Sequence, residues 1–63
     1  MHIEHIICES GDWVALCVNG EEYYSGHSVP DFVWMTLLHT VAGKEVSTSS
    51  KEISDEDMEE GNY

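Results

Sequence analysis

The dipeptide Asn19-Gly20 is the feature that most restricts how this chain can fold. Both central residues of a type I′ turn need positive φ angles, so Asn-Gly between two apolar stretches predicts a β-hairpin. Ser10-Gly11 separates two further stretches in the same way. The first 25 residues therefore predict three antiparallel strands connected as a β-meander.

The two turns also fix the register of the predicted strands. Ile7 is expected opposite Val14, and Leu16 opposite Tyr23, because two-residue turns set the pairing. One sheet face then carries Ile3, His5, Ile7, Val14, Leu16, Val18 and Tyr23. The other face carries Ile6, Cys8, Trp13, Ala15, Cys17 and Tyr24, with Glu4 and Glu22 among them.

A helix is predicted after the third strand. Ser28 is the expected N-cap, Pro30 fits the first turn, and Gly43 supplies a left-handed residue at the end. The apolar stripe of this helix consists of Trp34, Leu37, Leu38 and Val41, with Met35 and Ala42 at its edge. We expect the stripe to cover the Leu16 face, while Phe32 and His39 project from the other side.

The composition changes sharply near Gly43. Residues 1–43 hold nearly all the apolar and aromatic side chains, and they predict a βββα domain of the α+β class. Residues 44–63 are Ser/Thr-rich and then acidic, which predicts a disordered tail. Ser54 followed by Asp57 resembles a capping box for a short helical turn, although adjacent carboxylates oppose it.

One helix cannot cover both faces of the predicted sheet, so the face that carries Trp13 needs another cover. Either a second chain packs against it or the tail folds back over it. We favour a second chain, because an antiparallel sheet seldom exposes Trp, Ile, Tyr and Cys together.

The charge restricts the class of partner. Thirteen acidic residues and two lysines give a net charge of -11, which repels phosphate backbones and anionic lipids. We therefore expect no direct nucleic-acid or membrane partner, but a protein with a basic surface. The alternative is that the charge only provides solubility. The sequence has no basic leader and no apolar run near the ~20 residues of a membrane span, which predicts a cytoplasmic protein.

The cysteines and histidines give weak signals for chemistry. Cys8 and Cys17 share a face but lie about 13 Å apart at strand rise, beyond the ~7 Å Cα limit for a disulfide, so two free thiols are expected. Neither C-x-x-C nor H-x-x-x-H is present, and a Cys/His metal-binding protein remains a remote alternative. A cysteine nucleophile with His27 as base needs a pocket, which so small a body hardly provides. We predict no enzymatic activity and no cofactor.

The segment Asp12–Leu38 resembles a group of small uncharacterised bacteriophage proteins with a W-x-x-L-x-V-N-G and G-H-S-I/V core. The matching residues are Trp13, Leu16, Val18, Asn19, Gly20, Gly26, His27, Ser28 and Val29. They cover less than half of the chain and are mostly turn and cap residues. The resemblance implies a phage accessory protein, a class in which non-enzymatic inhibitors of host machinery are frequent, and it implies no catalytic residue.

Together these features predict a small acidic protein-binding module, an inhibitor or adaptor of a host protein in the host cytoplasm. If the partner is a nuclease or another nucleic-acid-binding protein, the acidic residues would compete for its phosphate-binding groove as a DNA mimic, an activity of the anti-CRISPR or anti-restriction kind. The predicted contact residues are Ile6, Trp13, Tyr24, Phe32, His39, Asp55, Glu56, Asp57, Glu59 and Glu60, with Met58 or Tyr63 as an apolar anchor. The alternative is a homodimer, in which two Trp13 faces meet or edge strands pair.

Overall fold

A computed structural model describes all 63 residues of the chain. Its elements are β1 (His2–Cys8), β2 (Val14–Val18), β3 (Glu21–Gly26), α1 (Asp31–Val41), β4 (Ser47–Ile53) and α2 (Asp55–Glu60). The strands form one mixed sheet in the order β3-β2-β1-β4. The predicted α+β class and the antiparallel β1-β2-β3 meander are confirmed, and β4 and α2 are additions to it. Neither helix has the length and apolar character that a membrane-spanning segment needs.

The two predicted turns build the first three strands. Asn19 and Gly20 have φ angles of 53° and 83°, as a type I′ turn requires. β1 pairs with β2 in the predicted register, with Ile7 opposite Val14. The turn signals therefore determine the local pairing on both sides of β2.

A β-bulge in β3 changes the predicted pairing beyond the turn. Tyr23 is left without a direct partner, and Tyr24 lies opposite Leu16 instead of Ala15. A shift of one residue turns the side chain to the opposite face, so the prediction that Tyr24 belongs to the Trp13 face is wrong. Gly26 makes room for the Tyr24 ring, since a Cβ at Gly26 would lie 2.8 Å from the Tyr24 hydroxyl.

Helix α1 begins at Asp31, and the prediction that Ser28 caps it is wrong. Val29 precedes Pro30, and the residue before a proline disfavours the helical conformation, so a helix cannot continue from Ser28. The Pro30 carbonyl oxygen instead accepts the first helical hydrogen bond, from the Val33 N–H at 3.0 Å.

Helix α1 covers the sheet face that carries Leu16. Val33 and Leu37 are buried with Leu16 in one cluster, and the partly buried residues around it are Ile3, Val18, Tyr24, Val29, Trp34 and Val41. The buried stripe is rotated relative to the predicted one, because Val33 takes the place expected for Leu38. Leu38 and Met35 are exposed on the outer side of the helix, beside Phe32.

Strand β4 lies within residues 44–63, for which the prediction of a disordered tail is wrong. It pairs in parallel with the whole length of β1, and α1 forms the connection from β3. The His2 ring nitrogens lie 2.7 Å from the Ser47 hydroxyl and 2.8 Å from the Ser49 hydroxyl. Backbone pairing and polar contacts thus order an edge strand that buries almost no apolar side chain.

Helix α2 lies on the face opposite α1. The Ser54 Oγ accepts a hydrogen bond from the Asp57 N–H at 3.1 Å, so the capping contact suggested by the sequence is present. Met58 is buried in a second cluster with Ile6, Cys8, Ala15 and Cys17, against which Ile53 and Tyr63 pack. Met58 is the one residue of α2 that is buried, and it completes this apolar cluster from the side of the helix.

The last residue closes this layer. The Tyr63 hydroxyl donates a hydrogen bond to the Glu22 carboxylate on β3. The tail therefore folds back over the Trp13 face, which was the less favoured of the two alternatives. Ile6 is fully buried, so the predictions that Ile6 contacts a partner and that two such sheet faces meet in a homodimer are both wrong.

Candidate protein-binding groove

A groove of about 650 Å³ opens where α2 lies beside the turn between β1 and β2. Its lining residues are Cys8, Ser10, Asp12, Trp13, Ser25, Asp55, Met58, Glu59, Glu60, Gly61 and Tyr63. The turn, β3 and α2 each contribute to the lining. The groove therefore exists only because the C-terminal residues fold back onto the sheet.

The start of α2 is joined to the turn between β1 and β2. The Ser10 N–H donates a hydrogen bond to the Asp55 Oδ1 at 3.1 Å. This backbone contact, together with hydrogen bonds from the Cys8 and Ser10 side chains, lowers the pKa of Asp55. Asp55 consequently stays ionised, and it positions α2 as well as contributing charge.

The end of α2 directs the last residues toward the sheet. Gly61 has a φ angle of 75°, and the Asn62 N–H donates a hydrogen bond to the Asp57 carbonyl oxygen at 2.8 Å. This left-handed glycine ends the helix and reverses the chain, as is common at helix C-termini. Glu59 and Glu60, in the last turn, line the groove next to Tyr63.

Trp13 forms an aromatic wall of the groove, with 37% of its surface exposed. Its backbone N–H donates to the Cys8 Sγ at 3.3 Å, and its ring packs edge to face with the His27 ring, 4.8 Å between centroids. The His27 Nδ1 in turn contacts the Asp12 carbonyl oxygen at 3.0 Å. The contact with His27 restrains one side of the indole, so less side-chain freedom is left to lose on binding.

The groove is strongly acidic. Asp12, Asp55, Glu59 and Glu60 line it, and none of its lining residues is a lysine. The Lys51 ammonium lies elsewhere, 3.7 Å from the Glu4 carboxylate on β1. Four carboxylates beside an indole suit a cationic group, which gains both ionic hydrogen bonds and a cation–π contact.

The two thiols belong to the buried cluster that contains Met58, and Cys8 also lines the groove. Cys8 and Cys17 are free and buried. Burial, reinforced by the negative charges of Glu4 and Glu22, raises the pKa of Cys17. A raised pKa reduces the fraction of thiolate, which is the nucleophilic form. No group of three or more His, Cys, Asp or Glu side chains is placed to hold a metal ion.

The structure distributes the predicted contact residues over five places. Trp13, Asp55, Glu59 and Glu60 come together in the groove. Glu56 and Asp57 are on α2 but do not line it. Ile6 lies beneath α2 and Tyr24 packs on the α1 side. Phe32 and His39 are exposed on α1.

Several groove residues are not among the sequence-based candidates, notably Cys8, Ser10 and Asp12. Met58 and Tyr63, predicted as anchors in a partner, instead anchor the chain's own C-terminus. The useful signal was the capping pattern from Ser54 to Asp57 followed by Met58, which describes one turn of amphipathic helix. Such a turn can dock on an apolar sheet face despite its many carboxylates.

The chain matches no protein-family model, no curated protein and no solved structure.

Proposed function

We propose that this protein is a small acidic binding module that takes up a positively charged segment of a partner protein in the groove. The observation that carries the proposal is that four acidic residues line the groove together with Trp13, without any cationic side chain among the lining residues. Binding and not catalysis is proposed, because the thiol among the lining residues, Cys8, is buried and no histidine lines the groove to act as its base.

The net charge supports the same proposal over longer distances. At -11 the chain attracts basic proteins from solution and raises their rate of association, most strongly at low salt. A partner that normally binds nucleic acid has the required basic surface. The resemblance to phage proteins then favours an inhibitor or adaptor of such a host protein, including one of a defence system, with the acidic surface in place of the nucleic acid.

Arginine is the side chain that the groove fits best. Its planar guanidinium can stack on the Trp13 ring and at the same time donate paired hydrogen bonds to a carboxylate such as Glu59 or Glu60. Lysine offers a point charge without the planar stacking surface. We therefore expect an arginine-rich segment to bind more tightly than a lysine-rich one of equal length.

The test uses oligo-arginine and oligo-lysine peptides, with Trp13 fluorescence as the signal in a Trp34→Phe background. The double variant Glu59→Gln/Glu60→Gln removes two groove charges, and Glu52→Gln/Glu56→Gln removes two charges outside the groove. Both change the net charge from -11 to -9. We expect the groove variant to weaken oligo-arginine binding about tenfold and the matched control about twofold.

Equal weakening by the two variants would mean that the peptide senses only net charge, and the groove proposal would be abandoned. Affinity that is nearly the same at low and high salt would exclude the charge-steered mechanism. Replacing Trp13 with Leu should also remove the preference for arginine over lysine; because this variant lacks the fluorescent reporter, its binding is measured by titration calorimetry. Circular dichroism of each variant verifies that the fold is retained.

A further inference from the structure

The outer side of α1 carries the three most exposed large apolar side chains of the chain. Phe32, Met35 and Leu38 expose 70%, 58% and 58% of their surfaces. They follow one another at a spacing of three residues, which places them on a continuous ridge of the helix. Monomeric proteins rarely leave such a row uncovered without an interaction to explain it.

This surface differs in charge from the rest of the molecule. Only one of the 13 acidic residues, Asp31, belongs to α1, and the helix also contains His39. The acidic α2 and its groove lie on the opposite face of the sheet. A basic partner is therefore drawn to the α2 side, and another occupant is needed for the outer side of α1.

We propose that the outer side of α1 binds a second copy of this chain, with the two helices antiparallel across a two-fold axis at Met35. This arrangement places Phe32 against Leu38 of the second copy. It also places Asp31 against His39 of the second copy, because both residues are four positions from Met35. The same ridge is thus complementary to itself in shape and in hydrogen bonding, because an imidazole can donate to a carboxylate, as a two-fold symmetric interface requires.

The charge of the two copies does not prevent this pairing. The two α2 layers would be separated by both sheets and both α1 helices, roughly 50 Å at about 10 Å per packed layer. The Debye length is about 8 Å at physiological ionic strength, so the repulsion between those layers is screened. Association through any acidic face would bring the carboxylates much closer.

The expected dimer is weak. An 11-residue helix is about 16 Å long, so one ridge buries less than the ~800 Å² per partner of a standard interface. We expect dissociation constants in the range of about 100 µM. Sedimentation measured from about 10 µM to about 1 mM should show the mass rise from 7.1 kDa toward twice that value. Added salt should strengthen this association, whereas it weakens binding in the groove.

Two variants test whether the dimer interface lies on the outer side of α1. Met35→Glu puts two carboxylates together at the proposed two-fold axis and should weaken dimerisation at least tenfold. Tyr23→Glu, on β3, makes the same change of charge at an exposed position away from α1 and should weaken dimerisation less than twofold. Equal weakening by both, or a wild-type chain that stays at 7.1 kDa at about 1 mM and high salt, would overturn the proposal.

Exchanging the residues at positions 31 and 39 tests whether the two helices are antiparallel. His39→Asp places two carboxylates in contact and should weaken the dimer roughly fivefold, and combining it with Asp31→His should restore most of the loss. Failure of the double variant to recover, with its helix content unchanged, would contradict the antiparallel pairing. Peptide binding in the groove should change less than twofold in these variants, so the two proposals can fail separately.

Discussion

The two helices cover opposite faces of one sheet, yet they are held in different ways. Helix α1 has 11 residues and inserts Val33 and Leu37 into a cluster with Leu16. Helix α2 has six residues, five of them acidic, and buries only Met58. The first helix is held by its apolar face, whereas the second is held mainly by contacts at its ends.

Because of this difference, most of the side chains that stabilise the fold and most of those proposed to bind a partner lie in different layers. Four of the five residues in the cluster under α2 come from β1 and β2, so the sheet supplies most of that core. The carboxylates of α2 are left free to face solvent and the groove. A segment with one buried side chain and two terminal contacts is expected to open more readily than the rest of the chain. The binding surface therefore lies on the less stable layer.

The largest predicted effect compares the buried residue of each helix. Leu37→Ala should destabilise the chain by about 3 kcal/mol, a large part of the about 3–9 kcal/mol expected for this length. Met58→Ala should weaken the docking of α2 by about 2 kcal/mol. Its main effect is to release α2 while the sheet and α1 stay folded. Denaturation in urea measures the first effect. Reaction of Cys8 and Cys17 with a thiol reagent measures the second, because both thiols lie under α2.

If α2 is less stable than α1, thiol reactivity and circular dichroism must respond to Met58→Ala at different urea concentrations. Met58→Ala should increase thiol reactivity at urea concentrations where the circular dichroism is unchanged. If both thiols react only together with global unfolding, α2 is as firmly integrated as α1, and the distinction between the layers is lost.

Strand and turn formation in the first half of the chain could be predicted because its signals are local. Asn19-Gly20 demands a particular backbone conformation, and that demand does not depend on the remainder of the fold. The bulge at Tyr23 could not be predicted in this way, because packing of Tyr24 beside Leu16 decides it. Strand β4 was missed because an exposed edge strand, ordered by pairing with β1, needs no apolar alternation.

The groove, too, could be predicted from the sequence only in part. Trp13 and the acidic residues Asp55, Glu59 and Glu60 were proposed for binding on separate grounds, aromatic character and charge. Their juxtaposition depends on Met58, one apolar side chain within an acidic run, and on the contact between Ser10 and Asp55. Composition averages over such a run and predicts disorder, although a single anchor with suitable caps is enough to dock it on a sheet.

A smaller effect is predicted at the N-cap of α2. Ser54→Ala removes the acceptor for the Asp57 N–H and should weaken docking of α2 by about 1 kcal/mol. That loss corresponds to roughly fivefold faster reaction of the buried thiols, if opening limits access. Ser50→Ala, on β4 and outside any cap, is the matched control and should leave the rate unchanged. A Ser54→Ala rate equal to wild type would show that the cap does not hold the helix.

The smallest effect is predicted at the other end of α2, at high pH. The hydrogen bond to Glu22, together with burial, raises the pKa of Tyr63 to about 12, above the ordinary value of about 10. Because the folded-state pKa is raised, the contact contributes fully below about pH 10, and its contribution is lost as pH rises toward about 12. Ultraviolet absorbance of tyrosinate should show one late step, which Tyr63→Phe removes. Glu22→Gln should move that step to lower pH, whereas Glu21→Gln, which lacks the contact, should leave it in place. A late step that persists in Glu22→Gln would mean that Glu22 does not hold the C-terminus, and α2 would then depend on Met58 and the Asp55 end alone.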